Sequence, residues 1–209
     1  MGVATSNGQR PARAKILDAA CALFTTTGYA ATTIKQIAAR ACVSSQSVYF
    51  VFGNKRSVLS SLLDVTIAGD DAPVATLDRG WVADAVAAPD PREQLRIQIH
   101  HARLILERAA DVLLAVRAGA SADPEVAELW QTNLEQRRTV QRHLMDALAA
   151  KSPGVDPHAA TDVALALLSP ETYTHLVRES GWTPERYEAW VLDTVAVAAG
   201  LPPAHTQER

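Results

Sequence analysis

Apolar residues recur every three to four positions along almost the whole chain, and no run alternates as a half-buried strand requires. Between residues 12 and 55 this pattern falls into three short segments. Ile37, Val43, Val48 and Val51 are apolar where two crossing helices must touch, and Ala38 is small where they approach closest. Thr33 and Ser44 precede the last two segments, each able to accept a hydrogen bond from an orphan backbone N–H. The pattern predicts helices over about 34–40 and 45–50, joined by Ala41, Cys42 and Val43. A turn of that length sets two helices at a steep angle and projects the N-terminus of the second outward, as entry into a DNA major groove demands.

Beyond residue 55 the helical period continues, predicting helices at about 55–69, 73–88, 91–119 (broken near Ala110), 124–151, 157–180 and 184–200. Asp90-Pro91, Asp123-Pro124, Asp156-Pro157 and Thr183-Pro184 repeat one start signal, a capping side chain followed by a proline in the first turn. Pro170 falls inside the 157–180 segment and should kink or split it. The expected fold is all-α, with a head over 12–55 and a larger body over 56–201. Residues 1–11 read as a disordered arm and 202–209 as a tail.

Charge separates the same two parts. Residues 1–56 carry seven Lys or Arg (Arg10, Arg13, Lys15, Lys35, Arg40, Lys55, Arg56) against the single acid Asp18, whereas the remainder has 13 bases and 22 acids. A cationic head suits phosphate contact, and an anionic body keeps the rest of the molecule off a polyanion. Although 48% of residues are apolar, no uncharged run approaches the roughly 20 residues of a membrane span. The first nine residues lack the regions of a signal peptide, and the two cysteines form no paired motif, so a cytoplasmic protein without membrane contact is expected.

The run Ile16, Ala19-Ala20, Leu23-Phe24, Gly28-Tyr29, Thr32-Thr33, Ile37-Ala38, Ala41, Val43-Ser44, Tyr49, Phe52 and Lys55 closely resembles the N-terminal domain of the tetracycline-repressor (TetR) family of transcriptional regulators. The C-terminal part is similar to an actinobacterial branch of that family through Asp90-Pro91-Arg92, Ala122-Asp123-Pro124-Glu125, Leu168-Ser169-Pro170-Glu171 and 181–187. The resemblance implies a homodimer that binds a palindromic DNA operator and responds to a small-molecule effector. It also places Thr33, Tyr49 and Lys55 at positions that touch phosphate. Lys35 and the cap Ser44 belong to the same DNA-binding set. Ser45, Gln46 and Ser47 open the recognition helix, and Gln46 is the expected base reader because its amide can pair bidentately with adenine. One departure is Cys42, where the family usually has glycine at positive φ; a cysteine there should cost on the order of 1 kcal/mol unless the turn relaxes. Cys42 reads as a small packed hydrophobe, with a redox-sensing thiol as the alternative. Cys21 reads as core.

The body shows no enzyme signature. Its histidines are scattered without carboxylates at ligand spacing, and no phosphate-cradling loop or nucleophile elbow appears, so no catalytic residue, metal or cofactor is expected. On the helix after Pro91, Leu95, Ile99, Leu106 and Leu113 form an apolar stripe, while Arg92, Arg96, His100, Arg103, Glu107 and Asp111 form a solvated one. Gln94, Gln98, His101, Ile105 and Arg108 run between them. With Trp81, Leu104, Trp130, Asn133, Leu134, Arg137 and Tyr173 they either line a ligand cavity or are boundary residues with solvated tips. A mostly apolar, partly aromatic effector is the expected ligand. Leu165, Leu168, Tyr187, Trp190 and Val191, interspersed with alanines, suit a four-helix dimer interface or a single chain's core, and the resemblance favours the former. A small-molecule enzyme or carrier and a DNA-binding protein without effector are the alternatives.

Overall fold

The computed structural model describes residues 9–72 and 74–201. Among these, ten α-helices follow in order: α1 (Gln9–Thr26), α2 (Ile34–Arg40), α3 (Ser45–Phe52), α4 (Lys55–Ala68), α5 (Gly80–Ala87), α6 (Pro91–Ala120), α7 (Pro124–Lys151), α8 (Pro157–Leu167), α9 (Pro170–Tyr173) and α10 (Pro184–Ala198). The fold is all-α: of the described residues 79% are helical and none lies in a strand. The expected tail, most of the expected arm, and Pro73 as a helix start lie outside the described residues. α1 begins at Gln9, so 9–11 are helical.

The chain divides into two compact units, one comprising the residues up to Ile67 with 111–132, the other 68–110 with the residues from Asn133 onward. In the first, α1, α2 and α3 pack on one another around Ile16, Ala20, Phe24, Ile37 and Val48, all at most 1% exposed. Phe24 meets Tyr29 with ring centroids 5.5 Å apart. Tyr29 and Val126 each lie against Gly119; a side chain at position 119 would come within 3.2 Å of the Tyr29 Cβ, which explains glycine inside a helix.

The connection from α2 to α3 is a complete Schellman closure. Cys42 N–H donates to the Ala39 carbonyl at 3.2 Å and Val43 N–H to the Ala38 carbonyl at 3.0 Å. That pairing requires a left-handed residue at position 42, and Cys42 adopts φ 55°, the one positive φ of a non-glycine residue among those described. The turn therefore keeps the strained conformation. The thiol is exposed, in an open depression lined by Lys15, Asp18, Ala19, Arg40 and Ala41, and not packed as expected.

The second unit has its core at Leu95, Ile99, Leu144, Met145, Ala160, Ala164, Tyr187 and Val191. Its helix starts follow the expected code: Asp90 accepts from Arg92 N–H and Asp156 from His158 N–H, while Thr183 accepts from Arg186 N–H. Asp123 does the same for Glu125 in the first unit. Pro170 splits the 157–180 segment, and Ser169 caps the new helix by accepting from Thr172 N–H. A π-helical turn over Thr174–Glu179 completes it. Three expectations fail. The helix expected over 73–88 begins only at Gly80, after a single 3-10 turn over Thr76–Asp78. α6 runs unbroken through Ala110, since Ala109, Ala110 and Val112 supply the buried apolar residues that continue its inner face. The stripes on α6 are also displaced: Gln94 and Gln98 are fully buried and Arg103 is 8% exposed, held by Glu188 at 2.8 Å and Glu107 at 2.7 Å. Paired that way, a guanidinium can leave water.

Relieving the α2–α3 turn gives the first test. Cys42→Gly is expected to raise unfolding stability by about 1 kcal/mol, read as a higher urea midpoint with unchanged slope.

Candidate nucleic-acid interface

Thr33 and Gln36 form a reciprocal capping box at α2: Gln36 N–H donates to Thr33 Oγ1 at 3.2 Å, and Thr33 N–H donates to Gln36 Oε1 at 2.8 Å. At α3, Ser44 Oγ accepts from Ser47 N–H at 3.0 Å, and the two hydroxyls lie 2.8 Å apart. Val48, fully buried, anchors α3 against α2. At 100° per residue, positions 46 and 50 lie about 200° from Val48 and face away from the unit. Gln46 is accordingly exposed, and Phe50 is 77% exposed. Tyr49 is 54% exposed, Ser45 and Ser47 are half-buried, and Lys35 is exposed on α2. The expected DNA-binding residues Thr33, Lys35, Ser44, Ser45, Gln46, Ser47 and Tyr49 thus gather around two capped helices.

Lys55 is placed differently from the rest. Its Nζ donates to the Tyr29 carbonyl at 2.9 Å and to the Thr32 carbonyl at 3.0 Å, and it sits 4.1 Å from the Tyr29 ring centroid. Burial lowers its pKa. Two of its three donors are committed to the loop joining α1 and α2, which makes it a tie within the unit as well as a cation near the interface. Tyr29 donates its hydroxyl to Asp123, and burial above all, then that carboxylate, pushes its pKa up to about 12.

Residues 16–62 match the family described as bacterial regulatory proteins, tetR family. The HTH-type transcriptional regulator EthR of Mycobacterium tuberculosis is 28% identical over 166 residues, 78% of this chain and 73% of that protein. The likeness to the TetR family is carried by this N-terminal domain. Among solved structures, the TetR family regulator PfmR from Thermus thermophilus superposes with a TM-score of 0.61 at 22% identity, covering 93% of this chain and 99% of that one. The transcriptional regulator FadR from Bacillus subtilis, in complex with stearoyl-CoA, gives a TM-score of 0.68 at 16% identity over 88% and 98% of the two chains. These similarities support a DNA-binding transcriptional regulator of the TetR type.

The expected pocket residues of the second unit include two groupings. His101 stacks on Trp81 with centroids 5.0 Å apart, and its pKa is lowered, first by burial and then by His100. Tyr173, 2% exposed, meets Tyr187 edge to face at 5.1 Å, while Arg137 donates to the Leu168 carbonyl at 2.9 Å. Leu104 and Leu134 are half-buried, and Arg108 is exposed with its guanidinium beside Gly69. Trp130 is half-buried in the first unit. Gln98 Oε1 and Asn133 Oδ1 are buried acceptors without a hydrogen-bond partner. Of the residues assigned to a dimer interface, Leu168, Tyr187 and Val191 are core of the chain itself, because the helical repeat turns them inward: they are at most 4% exposed, and Tyr187 donates to the Leu167 carbonyl at 2.7 Å. Leu165 and Trp190 remain half-buried. Among the described residues no helix is long and apolar enough to cross a membrane, and no three His, Cys, Asp or Glu gather as a metal site.

Phe50 escaped the sequence reading, which treated it as the end of a helix. The signal was present in the spacing from Val48. Gln36 was missed too, although Thr33-x-x-Gln36 spells a capping box.

Lys55→Met keeps the apolar stem and removes the ammonium. It is expected to lower unfolding stability by about 1 to 3 kcal/mol, because two carbonyls lose a charged donor, and to weaken binding to all DNA sequences alike. Chemical denaturation beside a binding titration checks both.

Proposed function

We propose that this protein is a homodimeric repressor that binds a palindromic operator through α3 and releases it when a small, mostly apolar effector occupies the second unit. The observation that carries the reading is the outward Gln46 on a capped helix anchored by Val48. A bidentate amide–adenine pair needs such a side chain, held by a helix that does not move. Lys35 and Tyr49 flank it as phosphate contacts that position without specifying.

Dimerisation uses the outer faces of α8 and α10, with Leu165 and Trp190 at the contact and exposed Val197 beside them. Leu168, Tyr187 and Val191 support that face from within. The effector site lies in the second unit, with the Trp81–His101 stack as its aromatic wall and Gln98 and Asn133 as acceptors for its N–H or O–H groups. FadR, which holds stearoyl-CoA, offers precedent for a largely apolar occupant on this fold. Release follows if effector binding favours a state in which α4 holds the two heads apart from the spacing of about 34 to 36 Å that successive major grooves demand.

Selecting bound fragments from random duplex tests the DNA reading. Gln46→Ala is expected to cost about 1 to 3 kcal/mol and relax one base position per half-site, whereas Lys35→Ala weakens every sequence alike and reduces the salt slope by about 1. An unchanged consensus from the Gln46 variant removes Gln46 from the interface. Sedimentation as a monomer at micromolar concentration, with tight operator binding retained, refutes the dimer.

The effector reading is tested by titrating aromatic metabolites and long-chain acyl compounds while following tryptophan fluorescence and operator release together. A releasing compound is expected to lose potency about tenfold in the His101→Ala variant, which removes one face of the stack. Undiminished potency there, or operator affinity indifferent to every compound, places the control elsewhere.

A further inference from the structure

Among the described residues of the first unit, the largest uncovered apolar group is the ring of Phe50. Among the described residues of that unit, the large apolar side chains that stand exposed are Tyr49 and Phe50, both on α3. Tyr49 carries a hydroxyl that can meet a phosphate; Phe50 has nothing to offer but a ring. Nothing in the fold needs it, since Val48 is the residue that fastens α3.

Helix geometry gives the ring a neighbour. Residues four apart lie on one face, and a long side chain leans back over the turn that precedes it, so the Phe50 ring covers the surface next to Gln46. A hydrogen-bonding side chain and an apolar one thus stand together on the outermost face of α3. Major-groove edges are hydrogen-bonding groups with one apolar exception, the C5-methyl of thymine. A phenyl ring set beside an adenine-pairing amide matches that methyl and no other feature of the groove.

We propose that Phe50 is a specificity-determining residue that reads the 5-methyl group of a thymine beside the base pair contacted by Gln46. The assignment rests on the reading of α3 as the DNA-recognition helix. It adds an apolar readout to the polar one: Gln46 tests for adenine, and Phe50 tests for a methyl group that a cytosine or a uracil lacks.

The test removes the methyl from the DNA and the ring from the protein. Starting from the duplex selected by the wild-type protein, each thymine is replaced in turn by deoxyuridine, which keeps base pairing and the O4 acceptor. A single replacement in one half-site is expected to weaken wild-type binding about fourfold, the worth of one buried methyl-sized group, and the same replacement in both half-sites about fifteenfold. Phe50→Ala binds the thymine duplex correspondingly less well and does not distinguish thymine from uracil at that position. Because the ring is exposed, the variant should keep the wild-type unfolding midpoint. If no replacement affects the wild type, or if Phe50→Ala keeps the full thymine preference, the assignment is overturned while the DNA-binding reading stands. Failure of the wild type to select any sequence overturns both.

Discussion

The ammonium of Lys55, seated between the Tyr29 and Thr32 carbonyls and over the Tyr29 ring, is the contact on which the order of the first unit depends. It closes the loop between α1 and α2, and that loop delivers Thr33 to the start of α2. From Thr33 the order passes along short-range contacts: a capping box sets where α2 begins, a Schellman closure sets where it ends, and Ser44 starts α3 three residues later. Each contact is worth about 1 kcal/mol. Together they leave α3 no freedom in its direction. Asp123 extends the chain of constraint, since the carboxylate that starts α7 also receives the Tyr29 hydroxyl.

The second unit is held by a different kind of restraint, polar groups placed where water does not reach. Gln94, fully buried, donates to the Leu144 carbonyl at 2.6 Å and accepts from Lys151 at 2.6 Å. Gln98 donates to Gln141, also at 2.6 Å. Apolar contacts tolerate a helix sliding by part of a turn, whereas a buried amide left without its partner costs about 1 to 3 kcal/mol. These glutamines therefore fix the register of α6 against α7. Arg103 and Glu188 do the same between α6 and α10.

What could be read from the sequence followed how local its cause was. Helix starts depend on one side chain and the two or three residues after it, so Asp90, Asp123, Asp156 and Thr183 announced theirs. The turn at Cys42 was legible for the same reason. Which way a polar residue on a long helix faces is decided by elements dozens of positions away. The buried state of Gln94, Gln98 and Arg103 depends on Leu144, Gln141 and Glu188, and periodicity on α6 alone cannot supply them. The inward turn of Tyr187 likewise depends on Leu167 and Tyr173 from another segment. Lys55 was recognised by its place in a motif, but the carbonyls it binds belong to a loop some two dozen residues earlier.

α3 carries no charged residue: from Ser45 to Phe52 its side chains are hydroxyl, amide, aromatic and aliphatic. The cations that draw this unit to a polyanion sit on other elements, Lys35 and Arg40 on α2 and Lys15 on α1. Attraction and discrimination are thereby assigned to different parts of one small domain. Ionic strength screens the first and leaves the second alone, since amide pairing and apolar contact release no counterions. The ratio of affinities between a right and a wrong sequence then stays constant as salt weakens both.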